Sequence, residues 1–235
     1  MAIHLMKLLR REEIAVGTMA FHFEKPTGLQ SKPGQYLDCT LLDPPETDAE
    51  GNIRSFSIAS APAEDGLTVA TRMRDTAFKR VLQQMPLGSP LQTEGPMGSF
   101  TLHGAARPAV FLAGGIGITP FRSMIRAGLK PRTVLFYFNR RPEDAAFLQE
   151  FRDLEQTDKN LHCVGVMTGM EKSSRPWSGE TGYFDEAMLT RHVADLAAPI
   201  YYVAGPPTMV NALKETLAGA GINEDDIRAE DFAGY

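Results

Sequence analysis

The sequence predicts two domains, an N-terminal antiparallel sheet or small barrel and a C-terminal α/β domain built on a parallel sheet. Three observations carry this. The chain has 235 residues, 43% of them hydrophobic, enough for two compact domains of roughly 100 to 130 residues. In the first part, short segments alternate apolar and polar residues between clusters of Pro, Gly, Asp and Asn, the rhythm of antiparallel strands and turns. From "AVFLAGG" onward apolar runs alternate with segments of helical period, an order that builds a parallel sheet with helices on its faces. The texture changes in "HGAARPAV", about Ala105 to Pro108, which divides the chain into residues 1–104 and 105–235.

Taken in order, "TMAFHFE" and "LTVATRMR" read as half-buried strands. Between them "RSFSIAS", Arg54 to Ser60, is bounded by the turn-rich runs "DPPETDAEGN" and "APAEDG". It alternates as a strand, yet it opens on an arginine and puts serines where a core takes aliphatics. Such a strand is placed to hold a ligand. In the second part "AVFLAGG" is a strand, "TPFRSMIRAGL" a helix, "TVLFYFN" a strand and "PEDAAFLQEFRDLEQ" a helix. No internal repeat or low-complexity segment interrupts them.

Composition removes several functions. A net charge of −5 supplies no basic face for phosphate neutralisation, so no nucleic-acid partner is expected. The two cysteines, Cys39 and Cys163, lie far apart, which leaves no case for a zinc site, an iron–sulfur cluster or a disulfide framework. The five histidines show no metal spacing. The start, "MAIHLMKLLRREE", lacks the order of a signal peptide, and no apolar segment reaches membrane-spanning length. A monomeric, soluble, cytoplasmic protein without a membrane partner is expected.

The strongest chemical signal is "AVFLAGGIGITPFRSMI". An apolar run enters a turn at Gly114, Gly115, Ile116 and Gly117 and leaves through Ile118 and Thr119 into a helix with Pro120 in its first turn. Glycines let backbone approach a ligand, and a helix N-terminus offers unpaired N–H groups and a partial positive charge to phosphate. Proline suits a first turn, where its missing donor loses nothing. The spacing is not the GxGxxG fingerprint of the common dinucleotide fold. A second loop, "IYYVAGPPTMV", repeats the design: strand, then Gly205, Pro206 and Pro207, then a helix from Met209. Either loop alone is compatible with a plain strand-to-helix turn. Two of them at the carboxyl ends of parallel strands can flank one nucleotide crevice.

These residues resemble the ferredoxin-NADP reductase-like flavoprotein reductases, in that family's order and over nearly the whole chain. "RSFS" is similar to the family's flavin-binding arginine, any residue, aromatic, serine; "GPMGSF" is similar to the glycine turn closing its barrel; "GGIGITP" and "AGPPTM" are similar to its two nicotinamide-nucleotide loops. The resemblance implies an N-terminal β-barrel that binds FAD non-covalently and a C-terminal domain that binds NADPH or NADH. Carried over by position, Arg54 pairs with the flavin pyrophosphate, Phe56 lies against the isoalloxazine ring in place of the usual tyrosine, and Ser57 sets its hydroxyl near flavin N5. In "TRMRDTAFKRVL" the strand through Thr71, Arg72 and Met73 runs beside the flavin, and a helix from about Thr76 points N–H groups at the pyrophosphate. Ala77, Phe78 and Lys79 stand there in place of the family's glycine and serine. Arg72, Arg74, Lys79 and Arg80 form a basic cluster that is placed for the flavin phosphates or for an acidic electron-transfer partner.

The resemblance makes "RAEDFAGY" a third part of the site. Glu230 and Phe232 match the spacing of a glutamate and an aromatic that covers the flavin, and Tyr235 is an alternative cover. Ala204 replaces a family cysteine. Ser57, Thr119 and Glu230 are the implied catalytic groups, serving hydride transfer from nicotinamide C4 to flavin N5. Asn139 and Arg140 end a strand where no acidic residue follows directly, and with Arg141, Lys172 and Arg175 they suit a 2′-phosphate slightly better than a bare ribose. The expected electron acceptor is a separate ferredoxin, haem protein or oxygenase. The alternatives are a stand-alone flavin, quinone or ferric reductase, and a flavin-binding subunit with no turnover of its own.

Overall fold

The computed structural model describes residues 2–103, 107–129 and 132–232. The chain forms two compact units, Met1–Thr101 with Thr119–Ala127, and Leu102–Ile118 with Gly128–Tyr235.

The first unit contains β1 (Ile3–Ala15), β2 (Thr18–Glu24), β3 (Tyr36–Leu41), β4 (Ile53–Ser57), β5 (Gly66–Arg72), α1 (Ala77–Gln84) and β6 (Pro90–Met97). Its six strands pair antiparallel in the order β4-β3-β6-β1-β2-β5. β1 is long enough to serve two neighbours: Ile3–Lys7 pair with β6, and Leu8–Ala15 pair with β2 through two register shifts. Those irregularities bend the strand and raise its twist. The sheet therefore curls, and its two ends meet where Ala59 N–H donates to Thr68 O at 2.8 Å. Period-two alternation sends Leu37, Cys39 and Leu41 of β3 inward, to pack with Met6, Leu8, Phe21, Phe23, Val69 and Leu91. α1 closes the barrel with Phe78 and Leu82, both buried in the same core.

The second unit has β7 (Ala109–Gly114), β8 (Thr133–Asn139), α3 (Leu148–Thr157), β9 (Leu161–Met167), β10 (Glu180–Thr181), α4 (Glu186–His192), β11 (Ile200–Gly205), α5 (Pro207–Gly219) and β12 (Ile227–Asp231). The sheet order is β10-β9-β8-β7-β11-β12, and all of its described pairings are parallel. Every residue of β7, β8 and β11 is buried. Strands covered on both faces read as unbroken apolar runs, which is why these three are so visible in the sequence. From β7 the chain adds strands on one side, then returns to add β11 and β12 on the other. The reversal lies between β7 and β11.

Two elements differ from the expectations above. The helix read from Pro142 begins at Leu148, because Pro142–Asp144 form a 3-10 turn and Phe147 turns left-handed at φ 59°. Arg141 grips Asp144 by two hydrogen bonds of 2.7 and 2.9 Å, fixing that turn. The helix α2 (Ile118–Arg126) follows β7 in sequence, yet from Thr119 it packs with the first unit. Arg122 Nη1 donates to Ala59 O and Ser123 Oγ to Ser60 O, each at 2.7 Å, pinning the helix to the chain just beyond β4.

Candidate functional site

In the first unit the RSFS strand and the N-terminal end of α1 come together. Arg54 Cζ lies 5.4 Å from the centre of the Phe78 ring. Lys79 follows in α1; it is only 7% exposed and its Nζ donates to Arg72 O at 2.8 Å. Burial first, then the Arg74 and Arg54 guanidinium groups, push the Lys79 ammonium down to about 8. Thr76 caps the helix by accepting from Lys79 N, and no acidic residue of α1 lies in its first turn. The first helical N–H groups and three cations thus share one corner of the barrel, a donor set whose chemistry fits a pyrophosphate.

The remaining first-unit residues sort by burial. Ser57 is 8% exposed at the end of β4. Thr71 is buried, Arg72 is exposed at the end of β5, and Met73 follows it, its N–H donating to Gly17 O at 2.7 Å. Ala77 is buried. Phe56 is packed in the barrel core at 3% exposure, with its ring centre 5.8 Å from that of Phe78. The basic cluster read from the sequence is divided: Arg80 is taken up by Glu46, at 2.6 and 2.9 Å, and by Asp75.

In the second unit the two glycine loops meet. β7 and β11 are neighbours with Ala113 opposite Ala204, so Gly114 and Gly205 leave the sheet side by side. A Cβ on Gly205 would lie 3.1 to 3.3 Å from the Gly114 backbone. A Cβ on Gly117 would run into the Ala204 carbonyl and come 2.8 Å from Gly205 Cα. This is a backbone cradle at the carboxyl ends of the two strands where the sheet order reverses, the place where open parallel sheets hold nucleotides. Ile116 and Ile118 are buried beside it. Thr119 is buried at the start of α2, with Pro120 next in its first turn. Pro206 precedes α5, Pro207 opens it, and a side chain on Gly114 would collide with Met209.

β12 brings Glu230 beside this cradle, opposite Ala204 of β11. Its Oε2 is buried with no hydrogen bond among the described residues, and burial pushes the carboxyl up to about 7. The sequence pattern offers no sign of β12 as a strand; its parallel pairing to β11 creates it. Phe232 N–H donates to Gly205 O at 2.9 Å, tying the segment beyond β12 to the second glycine loop. Tyr235 lies outside the described residues. At the end of β8, Asn139 is buried with its Nδ2 unpaired among the described residues, whereas Arg140 is exposed.

Comparison with known proteins follows the same division. Residues 111–215 match the family model of the oxidoreductase NAD-binding domain. The chain is 28% identical to the glycine betaine monooxygenase reductase subunit of Chromohalobacter salexigens, over 92% of this chain and 60% of that protein. It is 27% identical to the CDP-6-deoxy-L-threo-D-glycero-4-hexulose-3-dehydrase reductase of Yersinia pestis, over 94% of this chain and 65% of that protein. Among solved structures, a ferredoxin NADP+ reductase from Neisseria gonorrhoeae with bound FAD and NADP has a TM-score of 0.81 at 20% identity, covering 97% of this chain and 98% of that one. The antiparallel barrel and the parallel sheet are the two halves of that fold. The chain is thus similar, in the order of its two folds, to ferredoxin-NADP reductase-like flavoprotein reductases. It spans about two-thirds or less of the length of these curated relatives. No helix among the described residues is long and apolar enough to cross a membrane.

Proposed function

We propose that this chain is an NAD(P)H-dependent flavoprotein reductase, with FAD on residues 1–104 and the nicotinamide nucleotide on residues 105–235, delivering electrons to a separate protein acceptor. One observation carries the reading most directly: the meeting of Gly114, Gly117 and Gly205 at the reversal of the sheet, with the half-buried Glu230 and its buried Oε2 on the next strand. Bound FAD supplies the hydride-accepting centre and the capacity to release electrons to an acceptor.

The chain's own residues bind, orient and exclude water. Arg54 and the N-terminal N–H groups of α1 hold the pyrophosphate, helped by Arg72, Lys79 and the backbone at Thr71, Met73 and Ala77. Ser57 would offer its hydroxyl to the flavin, and Phe56, packed in the barrel core, would be an apolar support for it. The backbone at Gly114–Pro120 and Gly205–Met209 would cradle the nucleotide, and Asn139 and Arg140 would take its ribose end. Glu230 is the one described carboxyl near this cradle that burial brings to titrate near neutrality, so it is the group that holds or releases a proton there. The family resemblance assigns the role of flavin cover to Phe232 or Tyr235.

A monooxygenase reductase subunit and a dehydrase reductase among the relatives support a protein acceptor such as a ferredoxin, a haem protein or an oxygenase. The test is an anaerobic absorbance spectrum of the protein supplied with FAD, before and after NADPH and, separately, NADH. Bleaching of bound flavin is expected. Flavin that binds and stays oxidised with both nucleotides would reduce the chain to a binding subunit. Electron delivery that depends on an added iron–sulfur or haem protein would separate a reductase component from a stand-alone enzyme.

A further inference from the structure

The loop between β3 and β4, residues 42–52, carries four carboxylates, on Asp43, Glu46, Asp48 and Glu50. Three of them sit on the basic corner just described. Glu46 holds Arg80. Asp48 Oδ2 accepts from Ala77 N at 2.9 Å, at the first residue of α1, and Asp48 Oδ1 lies 3.5 Å from Arg54 Nη2. Glu50 Oε2 pairs with the same Arg54 nitrogen at 2.7 Å, and the Glu50 carbonyl accepts from Arg54 Nη1 at 3.0 Å. The Ala77 N–H, then burial, which opposes it, then the Glu50 N–H and Arg54 act on the Asp48 carboxyl, with the net effect of holding it below the usual carboxylate range. α1 has no acidic residue of its own in the first turn, so the acid that complements its N-terminus comes from a segment 29 positions away in sequence.

Those donors are the ones the flavin reading gives to the pyrophosphate. Two ionised carboxylates also carry about the same charge as a bridging pyrophosphate, close to −2. An incoming anion therefore meets an arginine and a helix N-terminus already engaged by groups of its own kind. We propose that Asp48 and Glu50 form an internal competitor for the pyrophosphate subsite and thereby set how tightly the flavin cofactor is held. The inference rests on the flavin reading above and deepens it. Binding exchanges carboxylate contacts for phosphate contacts on Arg54 and the Ala77 N–H, with no covalent change. The consequence is a flavin that exchanges more readily than the cationic corner alone would allow.

The test uses the full chain, freed of flavin by gel filtration and titrated with FAD by quenching of flavin fluorescence. The wild type, Asp48→Asn with Glu50→Gln together, and Arg54→Ala are compared, with riboflavin as a ligand that lacks phosphate. The double variant keeps hydrogen-bonding side chains and removes both charges. It is expected to bind FAD about three- to tenfold more tightly and riboflavin unchanged, and Arg54→Ala is expected to bind FAD more weakly. A double variant that binds FAD equally or more weakly, while Arg54→Ala still weakens binding, overturns the competitor and makes the loop a scaffold that positions Arg54. A wild type that binds no FAD, with Arg54→Ala the same, overturns the flavin reading and the competitor together. Thermal melts of each form establish that the variants are folded.

Discussion

The Glu230 carboxyl illustrates chemistry that belongs to one residue and its burial. A glutamate in an unfolded chain titrates near ~4.3, whereas here burial pushes it up to about 7. The native state thus favours the protonated form. The stability this contributes is fully present below the unfolded value and is lost as pH rises through about 7. Glu230→Gln keeps the shape and cannot ionise. The variant is expected to match the wild type at pH ~4.5 and to exceed it at pH ~8 by on the order of 2 kcal/mol, a figure already reduced for partial solvent screening. Urea unfolding at the two pH values checks this, and a pH-independent difference would overturn it. Arg140 carries a second residue-scale expectation. Arg141 is committed to Asp144, so the 2′-phosphate reading falls on exposed Arg140 with Lys172 and Arg175. Arg140→Ala should lower kcat/KM for NADPH about tenfold and leave NADH unaffected, read in the flavin-reduction assay.

At the scale of elements, the glycine cradle depends on two strands approaching closely at their carboxyl ends. Gly117→Ala would press a methyl group into the Ala204 carbonyl and the Gly205 backbone, contacts that a flexible side chain could relieve but backbone cannot. The expected loss is about 2 kcal/mol or more of stability, together with a weakened response to NAD(P)H; urea unfolding and nucleotide titration measure the two. The loops themselves are legible in sequence, since a strand of unbroken apolar residues running into Gly or Gly-Pro has few other meanings. The start of α3 is less so. The string "PEDAAF" satisfies helical composition, and only the Arg141–Asp144 clasp and the left-handed Phe147 stop it.

Over the whole molecule, net charge is a poor guide to the local field. A chain of net charge −5 gathers Arg54, Arg74 and Lys79 at one corner and then sets Asp48 and Glu50 against them. The opposite charges of "DPPETDAEGN" and "TRMRDTAFKR" are both visible in the sequence. That they face each other follows from the β3–β4 connection reaching across to the start of α1, a pairing of segments with no local signature. The charge complementarity of two such runs was the available signal. Likewise the chain's similarity to its curated relatives, over 60–65% of their length, follows the order of its two folds.

The sequence specifies the order of the two folds, the central strands β7, β8 and β11 and the two glycine loops, because period, burial and turn chemistry are local and repeat within a few residues. It also marked Arg54, Ser57 and Glu230 through their resemblance to a family pattern. The meeting of Gly114, Gly117 and Gly205, the burial of Glu230 Oε2 without a hydrogen bond among the described residues, the packing of Phe56 in the core and the approach of Asp48 to the Ala77 N–H all come from tertiary structure. Each of those depends on which distant segments become neighbours, and the free energy of a buried charge or a shared donor is fixed by those neighbours rather than by the residues beside it in the chain.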